Sequence, residues 1–292
     1  MNEFKTYHPI VNFTYFALVI GFSMFIMHPV FLLISLICAI GYSFLLKGGR
    51  ELLKNIMLVI PMMLCAAIIN PAFNHEGETI LCYLPTGNPL TAESFFYGAA
   101  AASMIACVMF HFSCYNEVMT SDKFIYLFGK LIPVLSLVFS MVLRFVPSFL
   151  ARLREITAAQ RSIGRDVSKG SIIKRLKCAM KIFSILLTWS IENAVETADS
   201  MKSRGYGLPG RTAFSIFHFD KRDTKTLLWL MICSLIVIGG KMGGVLHYRY
   251  FPSMIFDCFS QWAVIVEIAY LFLCATPIII ELREEYRWKA IK

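Results

Sequence analysis

The chain has 292 residues, of which 57% are hydrophobic and only 16% are charged, and its mean hydropathy is +0.64. Soluble domains carry about 25% charged residues, so this composition argues against a soluble globular fold, and it excludes disorder, collagen and a coiled-coil rod. The net charge of +9 is concentrated in residues 144–225, which contain 16 Lys and Arg against 7 Asp and Glu. The other 210 residues contain 12 of each. The composition therefore predicts a polytopic membrane protein with one basic segment.

Six segments are apolar enough and long enough to cross about 30 Å of hydrocarbon. They lie at 10–27, 29–46, 53–70, 92–113, 226–245 and 260–281. A short apolar run at 131–143 leaves the number of spans open by one. We expect Pro61 to kink the third span and Pro71 to mark a turn just after it. The predicted fold class is all-α, with about six transmembrane helices and a cytoplasmic module of two long amphipathic helices.

Loop charges predict the orientation of these spans. Lys47, Arg50 and Lys54 lie between the second and third spans, whereas the next loop carries Glu76 and Glu78 and no Lys or Arg. By the positive-inside rule the first of these loops is cytoplasmic. Both termini and the basic region then lie in the cytoplasm. The expected organisation is transmembrane helices 1–4 in residues 1–113, a coupling module in 114–225, and helices 5–6 with a basic tail in 226–292.

Few residues in the spans are suited to a transport path or to catalysis. Glu267 alone lies well within a span, and we interpret it as structural, with a role in transport as the alternative. The nine cysteines contain no CxxC motif and do not suggest a disulfide framework. No histidine pair has the spacing of a zinc site, so neither a metal site nor a cofactor is expected.

The basic region is predicted to form two amphipathic helices. After Pro147, the residues Phe149, Leu153 and Ile156 recur at helical spacing, and Gly164 provides a stop signal. A second helix is expected from about Ser171 to Ser203, with Lys174, Arg175, Lys177 and Lys181 flanking its first half. Its middle, residues 182–191, is nearly all apolar and must be covered by protein or lipid.

The second helix ends in Ser203-Arg204-Gly205-Tyr206-Gly207. One interpretation is an ordinary capped terminus, since glycine accepts the left-handed conformation that closes a helix and arginine there is favourable with the helix dipole. The other is a docking point, in which Arg204 projects its guanidinium into a groove lined by carboxylates or carbonyls on a partner.

At these residues the chain resembles the transmembrane (T) component of energy-coupling factor transporters, the CbiQ/EcfT-like family of vitamin and trace-metal importers. The matching segments, in chain order, are His8-Pro9, Pro133, Arg144-Phe145-Val146-Pro147, Ala158-Ala159-Gln160-Arg161 and Ser203-Arg204-Gly205-Tyr206-Gly207. The resemblance implies a non-catalytic subunit of the prokaryotic plasma membrane. Its expected partners are two ABC-type ATPase subunits, which bind the ATP and Mg²⁺, and a small substrate-binding membrane subunit.

The family's two coupling helices each end in an Ala-Arg-Gly-like motif that docks into an ATPase. Carried over, the docking residues are Ser203, Arg204 and Gly205 in the second motif and Arg161, Ser162, Ile163, Gly164 and Arg165 in and beside the first. The resemblance also implies that apolar faces of these helices contact the substrate-binding subunit, and the residues expected there are Phe149, Leu153, Ile156, Phe183, Leu186 and Leu187.

The first motif departs from the family pattern, because Ile163 stands where an arginine is expected. Either Arg161 or Arg165 takes over the contact, or this dock is more apolar. The asymmetry suggests two non-identical ATPase subunits. The transported substrate is not encoded in this chain, because on this hypothesis the substrate never touches it.

Three alternatives remain at this stage. An ordinary ABC-importer permease also presents a cytoplasmic helix to an ATPase, and Glu155 to Ala159 with Gly164 weakly resembles its loop. A membrane enzyme acting on lipid or prenyl substrates would need paired acids or a nucleophile with its base, which the sequence lacks. The basic residues can also bind anionic membrane lipids, alone or alongside the main role.

Overall fold

The structure is a computed structural model of the chain, and it describes residues 2–83, 89–129, 132–208, 217–246, 248–256 and 261–291. The nine cysteines include Cys258, which lies outside these ranges, and the other eight are free thiols. The chain divides into two compact units, one comprising Met1–Phe124 with Phe217–Lys292 and the other Ile125–Ile216.

Ten helices and four short strands occur in the described residues. The helices are α1 (Glu3–Thr6), α2 (Pro9–Phe25), α3 (Pro29–Lys47), α4 (Gly49–Phe73), α5 (Ala92–Val118), α6 (Ser121–Gly129), α7 (Pro133–Ser162), α8 (Ile172–Ser203), α9 (Lys221–Met242) and α10 (Gln261–Ile291). The strands are β1 (Ile80–Tyr83), β2 (Pro89–Thr91), β3 (Tyr248–Arg249) and β4 (Ile255–Phe256). They form two small antiparallel pairs, β1 with β2 and β3 with β4, which the sequence analysis did not predict.

The prediction of an all-α polytopic membrane protein is confirmed. Each of the six predicted spans is a helix: α2, α3, α4, α5, α9 and α10. By length and composition seven described helices could cross a membrane, namely α3, α4, α5, α7, α8, α9 and α10, while α2 is apolar but shorter. Helices α7 and α8 are long and apolar enough because each contains a long apolar stretch. In α7 this stretch includes most of the apolar run at 131–143 that left the number of spans open.

Proline positions explain several helix boundaries and one wrong prediction. Pro9 and Pro29 stand at the first turns of α2 and α3, where a missing N–H costs nothing. Pro71 was expected to mark a turn after the third span, but α4 continues through it to Phe73. Gly98 of α5 lies so close to this part of α4 that a Cβ there would come within 2.9 Å of the Ala67 carbonyl oxygen. Tight packing by α5 therefore stabilises the helix at the proline.

The core of the first unit centres on Phe4, which is fully buried although it belongs to a helix of four residues. Its ring centroid lies 5.3 Å from that of Tyr15, 6.4 Å from Phe16 and 6.2 Å from Tyr42, with the rings edge to face in each pair. Edge-to-face contacts are the favoured geometry of aromatic pairs. Phe4 thus ties α1 to both α2 and α3.

Side chains from distant parts of the chain cap both ends of α1. The Glu281 carboxylate of α10 accepts hydrogen bonds from the backbone N–H groups of Glu3, at 3.1 Å, and Phe4, at 3.2 Å. At the other end, the Nζ of Lys123 donates to the carbonyl oxygen of Lys5. These bonds satisfy backbone groups that so short a helix cannot pair by itself.

A chain of buried polar side chains links α2, α3, α5 and α10 within this unit. The Ser23 hydroxyl lies 2.8 Å from the Ser35 hydroxyl and 3.2 Å from the Tyr270 hydroxyl, and the Ser35 hydroxyl lies 3.1 Å from Nε2 of His111. All four residues are at most 1% exposed. This network is not predictable from the sequence, because hydroxyls 12 to 247 positions apart give no periodic signal. Glu267 lies half-buried in α10.

The buried Lys123 leads to a pH prediction. Burial lowers the pKa of Lys123 to about 8, and the neighbouring Lys5 acts in the same direction. Between pH 8 and about 10.5 the unfolded chain binds more protons at this lysine than the folded one, so folding stability should rise with pH by at most about 3 kcal/mol.

In Lys123→Met this rise should be absent. The free energies of unfolding of the wild-type chain and of Lys123→Met, compared in detergent at pH 7.5 and pH 10, isolate the lysine, because other titrating groups contribute equally to both. If the free energy of unfolding changes equally with pH in the two proteins, the pKa of Lys123 is not lowered in the folded chain.

Candidate functional site

The second unit is dominated by α7 and α8, which contact each other through an aromatic pair. The rings of Phe149 on α7 and Trp189 on α8 lie 5.4 Å apart, edge to face. The guanidinium of Arg152 lies 5.6 Å from the centroid of the same indole. Cation–π contacts of this kind with tryptophan are favourable even at exposed sites. The contact of Trp189 is not predictable from the sequence, because residues 182–191 are nearly all apolar and their pattern does not define an inner face.

The connection between the two helices is ordered by hydrogen bonds and an ion pair. The backbone N–H and the hydroxyl of Ser168 donate to the Asp166 carboxylate at 2.9 and 2.7 Å. These bonds, with the nearby Arg161 adding to the effect, lower the pKa of Asp166. Arg161 pairs with Asp166 at 3.5 Å, and Nε of Arg175 donates to the Val167 carbonyl oxygen at 2.8 Å. The loop thus pairs the charge of Arg161 with Asp166 and engages Arg175 through a hydrogen bond to its backbone.

Helix α7 ends in a Schellman motif at the first predicted docking segment. The N–H of Gly164 donates to the Arg161 carbonyl oxygen and the N–H of Arg165 donates to that of Gln160, both at 3.0 Å. Gly164 has φ of +76°, the left-handed conformation that this motif requires at its glycine. The Ser162 hydroxyl donates to the Ala159 carbonyl oxygen at 2.8 Å.

Helix α8 ends in the same motif at the second predicted docking segment. The N–H of Gly205 donates to the Lys202 carbonyl oxygen and the N–H of Tyr206 to that of Met201, again both at 3.0 Å. Gly205 has φ of +79°, and the Ser203 hydroxyl donates to the Ser200 carbonyl oxygen at 2.8 Å.

Residue by residue the two helix ends are therefore geometric equivalents. Ile163 of the first end has φ −91° and ψ 17°, and Arg204 of the second has φ −87° and ψ 11°. The same hydrogen-bond pattern makes Arg165 equivalent to Tyr206. The correspondence of Ser162-Ile163-Gly164 with Ser203-Arg204-Gly205, expected from the resemblance, thus has a structural basis in these hydrogen bonds.

The equivalent ends present different chemistry. Ile163 is 66% exposed, whereas Arg204 presents an exposed guanidinium that forms no ion pair with any residue the structure describes. Arg165 is exposed and likewise forms no ion pair within the described ranges, while Arg161 is engaged with Asp166. At the equivalent position the end of α7 thus has an apolar residue, Ile163, with Arg165 nearby, whereas the end of α8 has Arg204.

The residues expected to contact a substrate-binding subunit differ in exposure. Phe183 is 59% exposed, Leu187 49% and Leu153 36%, so these three are available to a partner. Phe149 and Leu186 are half-buried, and Ile156 is buried within the unit. Exposed apolar residues continue along α7, at Val142, Val146 and Leu150, as one uncovered stripe.

Nothing in the described residues forms a group of three or more His, Cys, Asp or Glu side chains able to hold a metal ion.

A family model described as "Cobalt transport protein" (CbiQ) matches residues 5–216. The chain belongs to the CbiQ family. The resemblance found in the sequence is thereby confirmed, and the match covers α2 to α8 with both equivalent helix ends.

Curated relatives of this CbiQ-family chain carry the name energy-coupling factor transporter transmembrane protein EcfT. The protein of that name from Bacillus selenitireducens is 37% identical over 112 residues, covering 38% of this chain and 42% of its own length. The one from Lactobacillus helveticus is 37% identical over 106 residues, covering 36% of this chain and 38% of its own length. The Listeria monocytogenes protein named EcfT 1 is 34% identical over 107 residues, covering 36% of this chain and 40% of its own length. The chain thus spans about two fifths of the length of these relatives.

Proposed function

We propose that this chain is the coupling subunit of an energy-coupling factor importer for a vitamin or another micronutrient. Two ATPase subunits dock on the ends of α7 and α8, and their ATP-driven movement is passed through these helices to a small substrate-binding membrane subunit. The observation that carries the proposal is the pair of equivalent helix ends. Because α7 and α8 end in the same exposed backbone geometry, they suit two ATPase subunits that share one fold. Family membership and relatives named as the transmembrane protein of such a transporter support it.

The second helix end suits a charge-assisted dock. Arg204 is held at a defined backbone geometry by the Schellman motif, and its exposed guanidinium forms no ion pair among the residues that the structure describes. Its planar fork is therefore available to carboxylate or carbonyl oxygens of a partner. The small Ser203 and Gly205 on either side leave room for the partner surface.

The first helix end supports a more apolar dock, with Ile163 as the inserted side chain and Arg165 as the neighbouring charge. Arg161 is the less suitable substitute, because Asp166 already pairs with it. Since one groove receives isoleucine and the other arginine, we propose that the two ATPase subunits are not identical.

The exposed apolar side chains of α7 and α8 suit the contact with the substrate-binding subunit. Leu153, Phe183 and Leu187 lie uncovered in this chain. An interface without buried polar bonds favours a partner that tilts and exchanges, because no set of directional contacts holds a single state.

On this proposal the subunit performs no bond chemistry and needs no cofactor, and ATP and Mg²⁺ are bound by the ATPase subunits. The chain resides in a prokaryotic plasma membrane with both termini in the cytoplasm, as its loop charges predict. The substrate is bound by the partner subunit.

The test is affinity purification of the tagged chain from its native membrane. We expect two different ABC-type ATPase subunits and at least one small integral membrane protein to be retained after mild detergent extraction. A complex that contains ATPases, lacks any small membrane subunit and still transports after reconstitution would identify an ordinary ABC-importer permease instead. Turnover of a substrate by the isolated chain would identify an enzyme.

A further inference from the structure

Three lysines on the first half of α8 form an exposed basic surface. Lys174, Lys177 and Lys181 are spaced by three and four residues and share one face of the helix. All three are exposed, and none forms an ion pair with a residue in the part of the chain that the structure describes. Arg175, which sequence analysis grouped with them, is instead bonded to the Val167 carbonyl oxygen of the loop.

This basic surface is not neutralised by the rest of its helix. The first turn of α8 has no acidic residue, and Lys174 lies in that turn, at the positive end of the helix dipole. Glu192 is the nearest acidic residue of α8 after Lys181, eleven positions further on, which is about 16 Å along a helix. That separation exceeds the Debye length of about 8 Å at physiological salt. An external anion would therefore relieve mutual repulsion that the acidic residues of α8 leave uncompensated.

Exposed apolar side chains lie next to the lysines on the same helix turns. Ile173 is 68% exposed, Leu176 62% and Met180 62%. A helix with a lysine face beside an apolar face is the arrangement that binds at the boundary between anionic headgroups and acyl chains, because the apolar residues enter the boundary and the lysines reach the phosphates.

We propose that Lys174, Lys177 and Lys181, with Ile173, Leu176 and Met180 beside them, form a binding surface for anionic phospholipids. A membrane surface fits better than a protein groove, since the charge is spread over two turns of a convex helix with apolar residues alongside. The other half of the same helix carries Glu192, Glu196 and Asp199, so only the first half is attracted to anionic headgroups. The proposal goes beyond ATPase docking and does not require it.

The test uses the full-length chain in nanodiscs of phosphatidylcholine, with or without phosphatidylglycerol, and no ATPase subunits. An uncharged acylating reagent modifies the lysines, and mass spectrometry gives the rate at each one. The attraction usual for a lysine at an anionic surface changes an equilibrium constant by about fivefold. We therefore expect acylation of Lys174, Lys177 and Lys181 to slow by about fivefold in phosphatidylglycerol and to recover in 0.5 M salt.

Lys202 is the internal control, because it is exposed at the opposite end of the same helix. Its rate should be the same in both lipids. Equal slowing at Lys202, or no slowing at the three lysines, would overturn the proposal. The proposal would also be overturned if the three lysines are acylated more slowly in nanodiscs of pure phosphatidylcholine after ATPase subunits are added. The surface would then bind a protein partner.

Discussion

Arg204→Glu should abolish uptake by the assembled transporter and remove at least one ATPase subunit from the purified complex. Arg204 is exposed, forms no ion pair within the described residues and lies at a backbone position held by two hydrogen bonds. Its replacement should therefore leave the fold intact while placing a negative charge against acidic or carbonyl groups of the partner. Loss of one partner from a buried charged pair costs about 2–5 kcal/mol, so ATPase affinity should fall at least about 30-fold.

Lys202→Glu provides the matched control. It makes the same change of charge two residues away on the last turn of α8 and has the same unfavourable interaction with the helix dipole. We expect it to retain most ATPase binding and uptake, because only Arg204 is proposed to enter the groove. Normal uptake by Arg204→Glu, with the chain present in the membrane at its usual level, would be incompatible with the docking role of Arg204.

Phe4→Ala should lower the free energy of unfolding by about 3–5 kcal/mol. Phe4 is fully buried and its ring contacts those of Tyr15, Phe16 and Tyr42. Its removal leaves a cavity and releases α1, whose backbone is held at one end by Glu281. Thermal unfolding of the purified chain in detergent, followed by tryptophan fluorescence or circular dichroism, measures the effect.

Two substitutions serve as controls for Phe4→Ala. Phe25→Ala removes an equally large ring from a position that is 74% exposed, so it should change stability little. Phe4→Leu keeps most of the buried volume and should cost less than about 1.5 kcal/mol. A Phe4→Ala chain as stable as Phe25→Ala would show that the aromatic cluster contributes nothing.

The local sequence was sufficient to predict the helix ends of the candidate site. Gly164 and Gly205 were recognised as C-terminal stops, and α8 runs from Ile172 to Ser203, within one residue of the predicted start. Such ends depend on a glycine with positive φ and on bonds within five residues, so the information is contained in a short segment. The equivalence of Ile163 and Arg204 then follows from hydrogen bonds that only the structure supplies.

The contact between α7 and α8 could not be predicted from periodicity. The sequence predicts that Leu153, Ile156 and Phe183 all face a partner subunit. Leu153 and Phe183 are exposed, whereas Ile156 and Ile182 are buried and Trp189 makes the ring contact. Where a stretch is apolar all round, as residues 182–191 of α8 nearly are, hydropathy does not distinguish the face covered by the chain from the face left for lipid or a partner.

The sequence by itself determined that this is a polytopic helical membrane protein, that its charge surplus lies in one segment, and that its two long helices end at glycines. These properties follow from composition, from local periodicity and from backbone preferences of single residues. Only the tertiary structure decided that Phe4 fills the core and that Ser23, Ser35, His111 and Tyr270 form one buried network. It also decided that Lys174, Lys177 and Lys181 form no ion pair with any residue the structure describes. Those facts depend on contacts between positions far apart in the chain, for which a single sequence carries no periodic signal.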